Sequence, residues 1–322
     1  MQYRRLGKWG VKVSEVALGS WLTYGGTVEE AAAIKQIHHA FSLGVNFFDT
    51  ANVYGQGLSE EVVGKALSTL KRESCFLATK VFFPMGSGPN DRGLSRKHVV
   101  EQCHASLKRL NQDYIDLYQT HRFDPLVPMY EIVRTMDDLI SQGKILYWGV
   151  SEWTAPQIED ACRVACELGA QPPVSNQPCY NMLTRNIEES VIPACTALGL
   201  GQVVFSPLAQ GVLTGKYEPG KALPADSRGA DERVNGFMLG RSLLSTETLS
   251  RVQALKAIAA ELGLSMAQFA LSWCLSRENV SSVIIGATKE SQIDENVKAS
   301  GLVLEESVLK EVDGILAGNS VR

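Results

Sequence analysis

A carboxylate, a phenol, an amine and an imidazole carry the chemistry that is legible in this chain: Asp49, Tyr54, Lys80 and His121. Each sits at or just past the end of a short apolar run that reads as a β-strand. Asp49 ends VNFFD, Lys80 ends CFLATK, His121 follows IDLYQT, and Tyr54 lies five residues beyond Asp49 in a loop. In a sheet of parallel strands the carboxyl ends share one face, so these groups can converge there. A free phenol titrates near pH ~10 and is a weak acid at neutrality. A nearby ammonium favours the phenolate, and a lowering of about two units corresponds to ~2.7 kcal/mol. Lys80 is therefore expected to lower the proton affinity of Tyr54, Asp49 to keep Lys80 charged, and His121 to orient a substrate oxygen. Such a set is a proton-donating device, suited to reducing a carbonyl beside a hydride cofactor. Taken singly, each residue has a plainer reading as a solvated or packing side chain, and it is the convergence on successive strand ends that favours chemistry. His38, His39, His98 and His104 fall on predicted helices and are read as surface or packing residues.

The elements that must position these groups repeat one theme. YRRLG and VKVSEV flank the turn GKWG as a hairpin. Eight apolar runs then read as strands: 16–20, 45–49, 75–80, 114–120, 146–151, 174–178, 203–207 and 282–286. The stretches between them carry helical periodicity, such as Ile34, Ile37 and Phe41 on one face before Gly44. Ser95 is placed to cap the helix that carries Val99, Cys103 and Leu107. Strands that are apolar on both faces imply a parallel sheet covered on both sides. Eight strand–helix units favour a (β/α)8 barrel over a doubly wound sheet, with residues 1–322 as a single domain. One long irregular stretch, about 209–246, follows the seventh strand on the face where a barrel keeps its active site.

Composition removes other classes. A net charge of −4 gives no nucleic-acid signal, and 45% hydrophobic with 20% charged residues describes an ordinary soluble protein. No apolar run reaches the length of a membrane span, and MQYRRLGKWG lacks the apolar core of a signal peptide, so no membrane insertion is expected. Seven cysteines show no metal-ligand spacing, and Cys162 with Cys166 read as thiols on one helix face rather than a metal pair. Reduced thiols point to the cytoplasm.

No GxGxxG follows the first strand, so the Rossmann fingerprint is absent. GQVVFSPLAQGVLTGKY runs instead from a strand into small residues and Lys216, suited to a pyrophosphate. SVIIGATKESQIDEN puts Gly286, Ala287 and Thr288 near a helix N-terminus, which attracts phosphate. Either stretch alone also fits an ordinary glycine-containing loop.

In order and spacing, FFDTANVYG, FLATK, IDLYQTHR, GVSEW, NQPCYN, FSPLAQGVLTGKY and VIIGATKESQIDEN resemble the aldo-keto reductase superfamily over almost the whole chain. RGLSRKH, QGKILYWGVSEW and SWCLSRENVSSVIIGA are most similar to the β subunits of voltage-gated potassium channels and their bacterial relatives. The resemblance implies a barrel plugged at the bottom by the hairpin. It implies NADPH extended across the carboxyl ends of the strands, and the tetrad Asp49, Tyr54, Lys80 and His121 with Tyr54 as general acid. It implies Ser151 and Gln177 at the nicotinamide carboxamide, Phe205 stacked on the ring, and Ser206, Pro207, Leu208 and Lys216 along the pyrophosphate. Arg228, Gly286, Thr288, Gln292, Glu295 and Asn296 are implied around the adenosine phosphate end. Trp21, Phe82 and Trp153, with Tyr54, are expected to wall the substrate pocket.

Three positions depart from the family pattern. Glu152 stands where the family often has an Asn that touches the cofactor, and Gln292 stands where many members have Arg. His121 stands where channel β subunits often carry Asn, which favours a working reductase of small aldehydes and ketones over a cofactor-holding regulatory subunit. The alternative is an NADP(H)-binding redox sensor docked on a membrane channel. The chain opens on the hairpin, so no N-terminal arm is expected to plug a channel. The channel-subunit likeness implies a homotetramer, the wider superfamily a monomer.

Overall fold

The barrel is assembled by hydrogen bonds between eight short parallel strands, seen in a computed structural model that describes residues 1–26, 28–232, 235, 236, 238 and 242–317. After an antiparallel hairpin of β1 (Tyr3–Arg5) and β2 (Lys12–Ser14), the barrel strands are β3 (Val16–Gly19), β4 (Phe47–Asp49), β5 (Phe76–Val81), β6 (Ile115–Thr120), β7 (Ile145–Ser151), β8 (Ser175–Gln177), β9 (Gly201–Val204) and β10 (Val280–Ile285). They pair in chain order, and β10 closes on β3. Helices α1 (Glu30–Ser42), α2 (Leu58–Leu67), α3 (Arg96–Leu110), α4 (Met129–Ser141), α5 (Ala155–Leu168) and α6 (Val191–Leu198) fall one after each strand from β3 to β8. After the long β9 loop come α7 (Thr246–Glu261) and α8 (Met266–Leu275), and after β10 come α9 (Glu290–Asn296) and α10 (Glu306–Leu316). The expected (β/α)8 barrel is therefore the observed fold; β8 is trimmed by one residue at each end, while β9 spans 201–204 rather than 203–207 and β10 spans 280–285 rather than 282–286.

Local chemistry explains the helices. Ser95 caps α3 by accepting from the His98 N–H, and Thr154 and Gln157 form a capping box at α5. On α4 the side chains of Ile132, Val133, Met136 and Leu139 recur at helical spacing and are fully buried against the barrel. The stretch after β9 forms two short 3-10 turns, Ala209–Thr214 and Arg228–Ala230. Positions 233, 234, 237 and 239–241 of that stretch lie outside the described residues. Among the described residues no single helix is long and apolar enough to cross a membrane. Two neighbouring helices, α7 and α8, pass that test only when taken together across a 90° bend.

The barrel interior is divided by depth. Phe47 and Phe76 open β4 and β5, and their rings meet edge to face at 5.0 Å. With Ala17, Leu117, Val174 and Val203 they form an apolar layer beneath the cleft, and Ile284 joins it to the cleft lining. Leu6 and Val13 of the hairpin are fully buried in this layer, so the hairpin plugs the bottom. Replacing Leu6 with Ala leaves a cavity under the barrel and should cost about 2–5 kcal/mol of unfolding free energy. Denaturant titration measures this, and a loss below ~1 kcal/mol would show that the hairpin is not seated as described.

Candidate functional site

At the carboxyl ends the interior turns polar. Asp49 ends β4 and pairs in register with Ala78, so Lys80, two residues on, points to the same face one step higher. The Lys80 Nζ donates to Asp49 Oδ1 at 2.5 Å, to the Thr50 carbonyl at 2.7 Å and to the Tyr54 hydroxyl at 3.4 Å. Lys80 is fully buried and Asp49 nearly so. The second carboxylate oxygen of Asp49 accepts from Gln177 Nε2 at 2.8 Å and Gln119 Nε2 at 3.3 Å. Tyr54 enters from a one-turn 3-10 helix between β4 and α2, and its ring meets His121 edge to face at 5.7 Å. The His121 ring also packs on Phe83 at 4.9 Å, and its Nδ1 is buried without a partner among the described residues.

Burial acts against the charge on Lys80, but Asp49 and Tyr54 outweigh it and the proton affinity of the amine is raised. Lys80 is thus a fixed ammonium. Burial also pushes the Tyr54 phenol above its ordinary value, and the attraction of Lys80 pulls it back only in part. This corrects the expectation that Lys80 brings the phenol below its usual range. The ammonium is largely neutralised by Asp49, and its contact to the hydroxyl is long. His121 is held well below the ordinary imidazole value by burial, then by the charges of Lys80 and Arg122. It is a neutral ring with one N–H and one lone pair.

A cleft of about 950 Å³ opens above this cluster. It is lined by Asp49, Tyr54, His121, Ser151, Gln177 and Trp21, and by Phe205, Ser206, Pro207 and Leu208 after β9. Lys216 and Arg228 line it from the long loop, and Gly286, Thr288, Gln292, Glu295 and Asn296 from the segment after β10. Besides Lys80, which is fully buried beneath it, three expected residues lie outside it. Phe82 turns onto Phe83, and it is Phe83 that reaches the cleft. Trp153 is buried against Phe123. Glu152 directs its carboxylate to the backbone N–H of Cys179 and offers the cleft no donor. All three lie just past a strand end, after Val81 of β5 or Ser151 of β7, where strand alternation no longer sets direction, and Glu152 takes a positive φ of 58°.

Backbone shape marks the loop after β9. Ser206, Ala209 and Gln210 have positive φ values of 54°, 45° and 58°, and Gly211 follows at 94°. Such conformations are strained for residues with a side chain, and the loop curls on itself, with the N–H groups of Ala209 and Gly211 donating to the carbonyls of Ser206 and Leu208. Gln210 bridges this loop to the far wall by donating to Ser206 Oγ and accepting from Arg228 Nη1.

A polar cluster thus sits at the carboxyl end of a plugged barrel, beneath a cleft walled by the loop after β9. The aldo/keto reductase family model matches residues 15–317. The chain belongs to the aldo/keto reductase family. It is 45% identical over 327 residues to a probable voltage-gated potassium channel subunit beta of Oryza sativa subsp. japonica, covering 100% of this chain and 98% of that protein. A protein of the same description from Arabidopsis thaliana gives the same figures, 45% over 327 residues. A putative voltage-gated potassium channel subunit beta of Schizosaccharomyces pombe is 43% identical over 324 residues, or 98% of this chain and 93% of that one. Membership supports an NADPH-dependent oxidoreductase activity.

In this aldo/keto reductase, sequence reasoning missed Gln119, Phe83, Gln210 and Arg122. Gln119 was discoverable, because it pairs in register with Lys80 and lies two residues before His121 on an inward face. The Gln210–Arg228 bridge had no local signal, since it joins positions eighteen apart across an irregular loop.

The buried neutral His121 predicts a pH effect on stability. Below about pH 6.5 the unfolded chain takes up a proton that the folded chain resists, so stability falls as pH falls from there toward the depressed folded value. The slope contributed by this one group approaches ~1.4 kcal/mol per pH unit. His121→Asn should remove that slope, measured by denaturant titration at a series of pH values. Parallel curves for the two proteins would show that His121 is not held neutral.

Proposed function

We propose that this protein is an NADPH-dependent reductase of small aldehydes and ketones. The observation that carries the reading is the buried Asp49–Lys80 pair reaching the Tyr54 hydroxyl at the floor of an open cleft. The cleft fits the cofactor. Lys216 supplies a cation for a pyrophosphate beside the loop from Ser206 to Gly211, and Phe205, edge-on to Trp21 at 6.3 Å, has a face for an aromatic ring. Ser151 and Gln177 line the cleft and would hold a carboxamide, and Arg228 would supply a cation for a 2′-phosphate. When bound, NADPH supplies the hydride to the carbonyl carbon and is left as NADP⁺.

Tyr54 gives its hydroxyl proton to the carbonyl oxygen as charge develops there. Its raised proton affinity is no obstacle, because a developing alkoxide is far more basic than a phenolate. Lys80 stabilises the phenolate left behind, and solvent returns the proton. Asp49 holds Lys80 in place and charged. His121, being neutral, donates a hydrogen bond to the same oxygen and places it. A second reading, an NADP(H)-binding subunit that docks on a channel, is favoured by the descriptions of the plant and yeast relatives. Tight retention of cofactor through one slow turnover would support it over the reductase.

Tyr54→Phe should lower reduction at least about a hundredfold while NADPH still binds. Lys80→Met should cost a comparable factor, and the two losses should not add, since both serve one proton transfer. Steady-state rates with cofactor titrations across the double-mutant cycle measure this. Near-normal turnover by Tyr54→Phe would sink the assignment.

Arg228→Ala should weaken NADPH binding roughly ten- to a hundredfold and barely alter NADH. Fluorescence titration separates the two, and equal losses would show that Arg228 does not read the phosphate.

A further inference from the structure

The end of the cleft that holds Tyr54 and His121 carries one more charged side chain. Arg122 follows His121 directly and lines the same cavity. Its Nη1 donates to the His121 carbonyl at 2.5 Å, and its guanidinium lies 5.6 Å from the centre of the Phe83 ring. Neither partner is an acid, and among the described residues no carboxylate is paired with it. Lys80, the other cation at this end, is matched by Asp49. The remaining charges on the cleft wall, Lys216, Asp226, Arg228 and Glu295, belong to the long loop after β9 and to α9. The mouth beside Tyr54 therefore presents one uncompensated positive charge among aromatic walls. The field of Arg122 reaches both neighbours, disfavouring protonation of His121 and favouring loss of the Tyr54 proton.

We propose that Arg122 is a specificity-determining residue that selects aldehydes and ketones carrying a carboxylate. The inference rests on the reductase reading above. A planar guanidinium with unused donors binds a carboxylate in fork geometry, and a partly dry cleft strengthens the contact. The Phe83 ring beneath the guanidinium limits its swing, so the charge stays at the mouth. An anionic substrate would thus be anchored at one end with its carbonyl directed toward Tyr54 and His121.

The test compares 4-carboxybenzaldehyde with its methyl ester, which shares the ring and the reacting carbonyl. The ester withdraws electrons more strongly, so intrinsic reactivity favours it, and a preference for the acid must come from the protein. The wild-type kcat/KM should favour the acid by roughly ten- to a hundredfold at low ionic strength. The preference should shrink as salt is added. It should fall to near unity in R122Q and survive in part in R122K. Because Arg122 also touches the His121 carbonyl, the ratio of the two substrates is the readout, since disturbance of His121 affects both alike. Equal rates on acid and ester in the wild type, or an undiminished preference in R122Q, would overturn the inference and leave the reductase reading standing. Failure to reduce either aldehyde would overturn both.

Discussion

The ion pair between Lys80 and Asp49 is the constraint around which the upper barrel is arranged. Two charges removed from water lose solvation worth several kcal/mol each, and mutual attraction restores it only when the remaining hydrogen-bonding capacity is met. Here it is met from four directions. The Thr50 carbonyl and the Tyr54 hydroxyl receive the ammonium, and the amides of Gln119 and Gln177 serve the carboxylate. These partners come from β6, from β8 and from the turn after β4. Removing any one would leave part of the pair unserved, so the charge cluster fixes the mutual height of several strands as well as the chemistry.

That arrangement depends on the separation of the barrel into a dry floor and a polar ceiling. The floor is filled by Phe47, Phe76 and the hairpin residues Leu6 and Val13, which exclude water from below. The low dielectric beneath strengthens the pair above it. The outer wall adds a further tie close to the reacting groups. Glu60 of α2, fully buried, accepts from Thr79 at 2.5 Å and from Arg109 of α3 at 2.6 Å. Thr79 is the neighbour of Lys80, and α2 follows the turn that carries Tyr54, so amine and phenol are held in one frame.

Much of this was legible in the residues. The eight strands, the hairpin and the four polar residues at the strand ends follow from period, punctuation and residue type. These signals are local, and parallel pairing converts them into one face. The errors were of two physical kinds. Phe82 and Trp153 have the right residue type, but each lies just past a strand end, where the backbone leaves the strand and brings Phe83 to the cleft and Trp153 onto Phe123. The phenol of Tyr54 was judged from its attraction to Lys80 alone, whereas burial is the larger effect. Long-range contacts such as Gln210 with Arg228 depend on the path of an irregular loop and leave no pattern in the chain.

The strained backbone after β9 bears on protein engineering. Ser206, Ala209 and Gln210 each hold a conformation that costs of order 1–3 kcal/mol for a residue with a side chain, and each persists because its neighbours over-determine it. Such a segment does not trade residues one at a time. A donor loop grafted here in pieces would inherit the strain without the contacts that hold it, and the graft would relax away from the cleft. Recombination between barrels of this family is therefore best cut at the end of β9 and beyond Ala230, so that Arg228 moves with Gln210 and the loop stays one cassette.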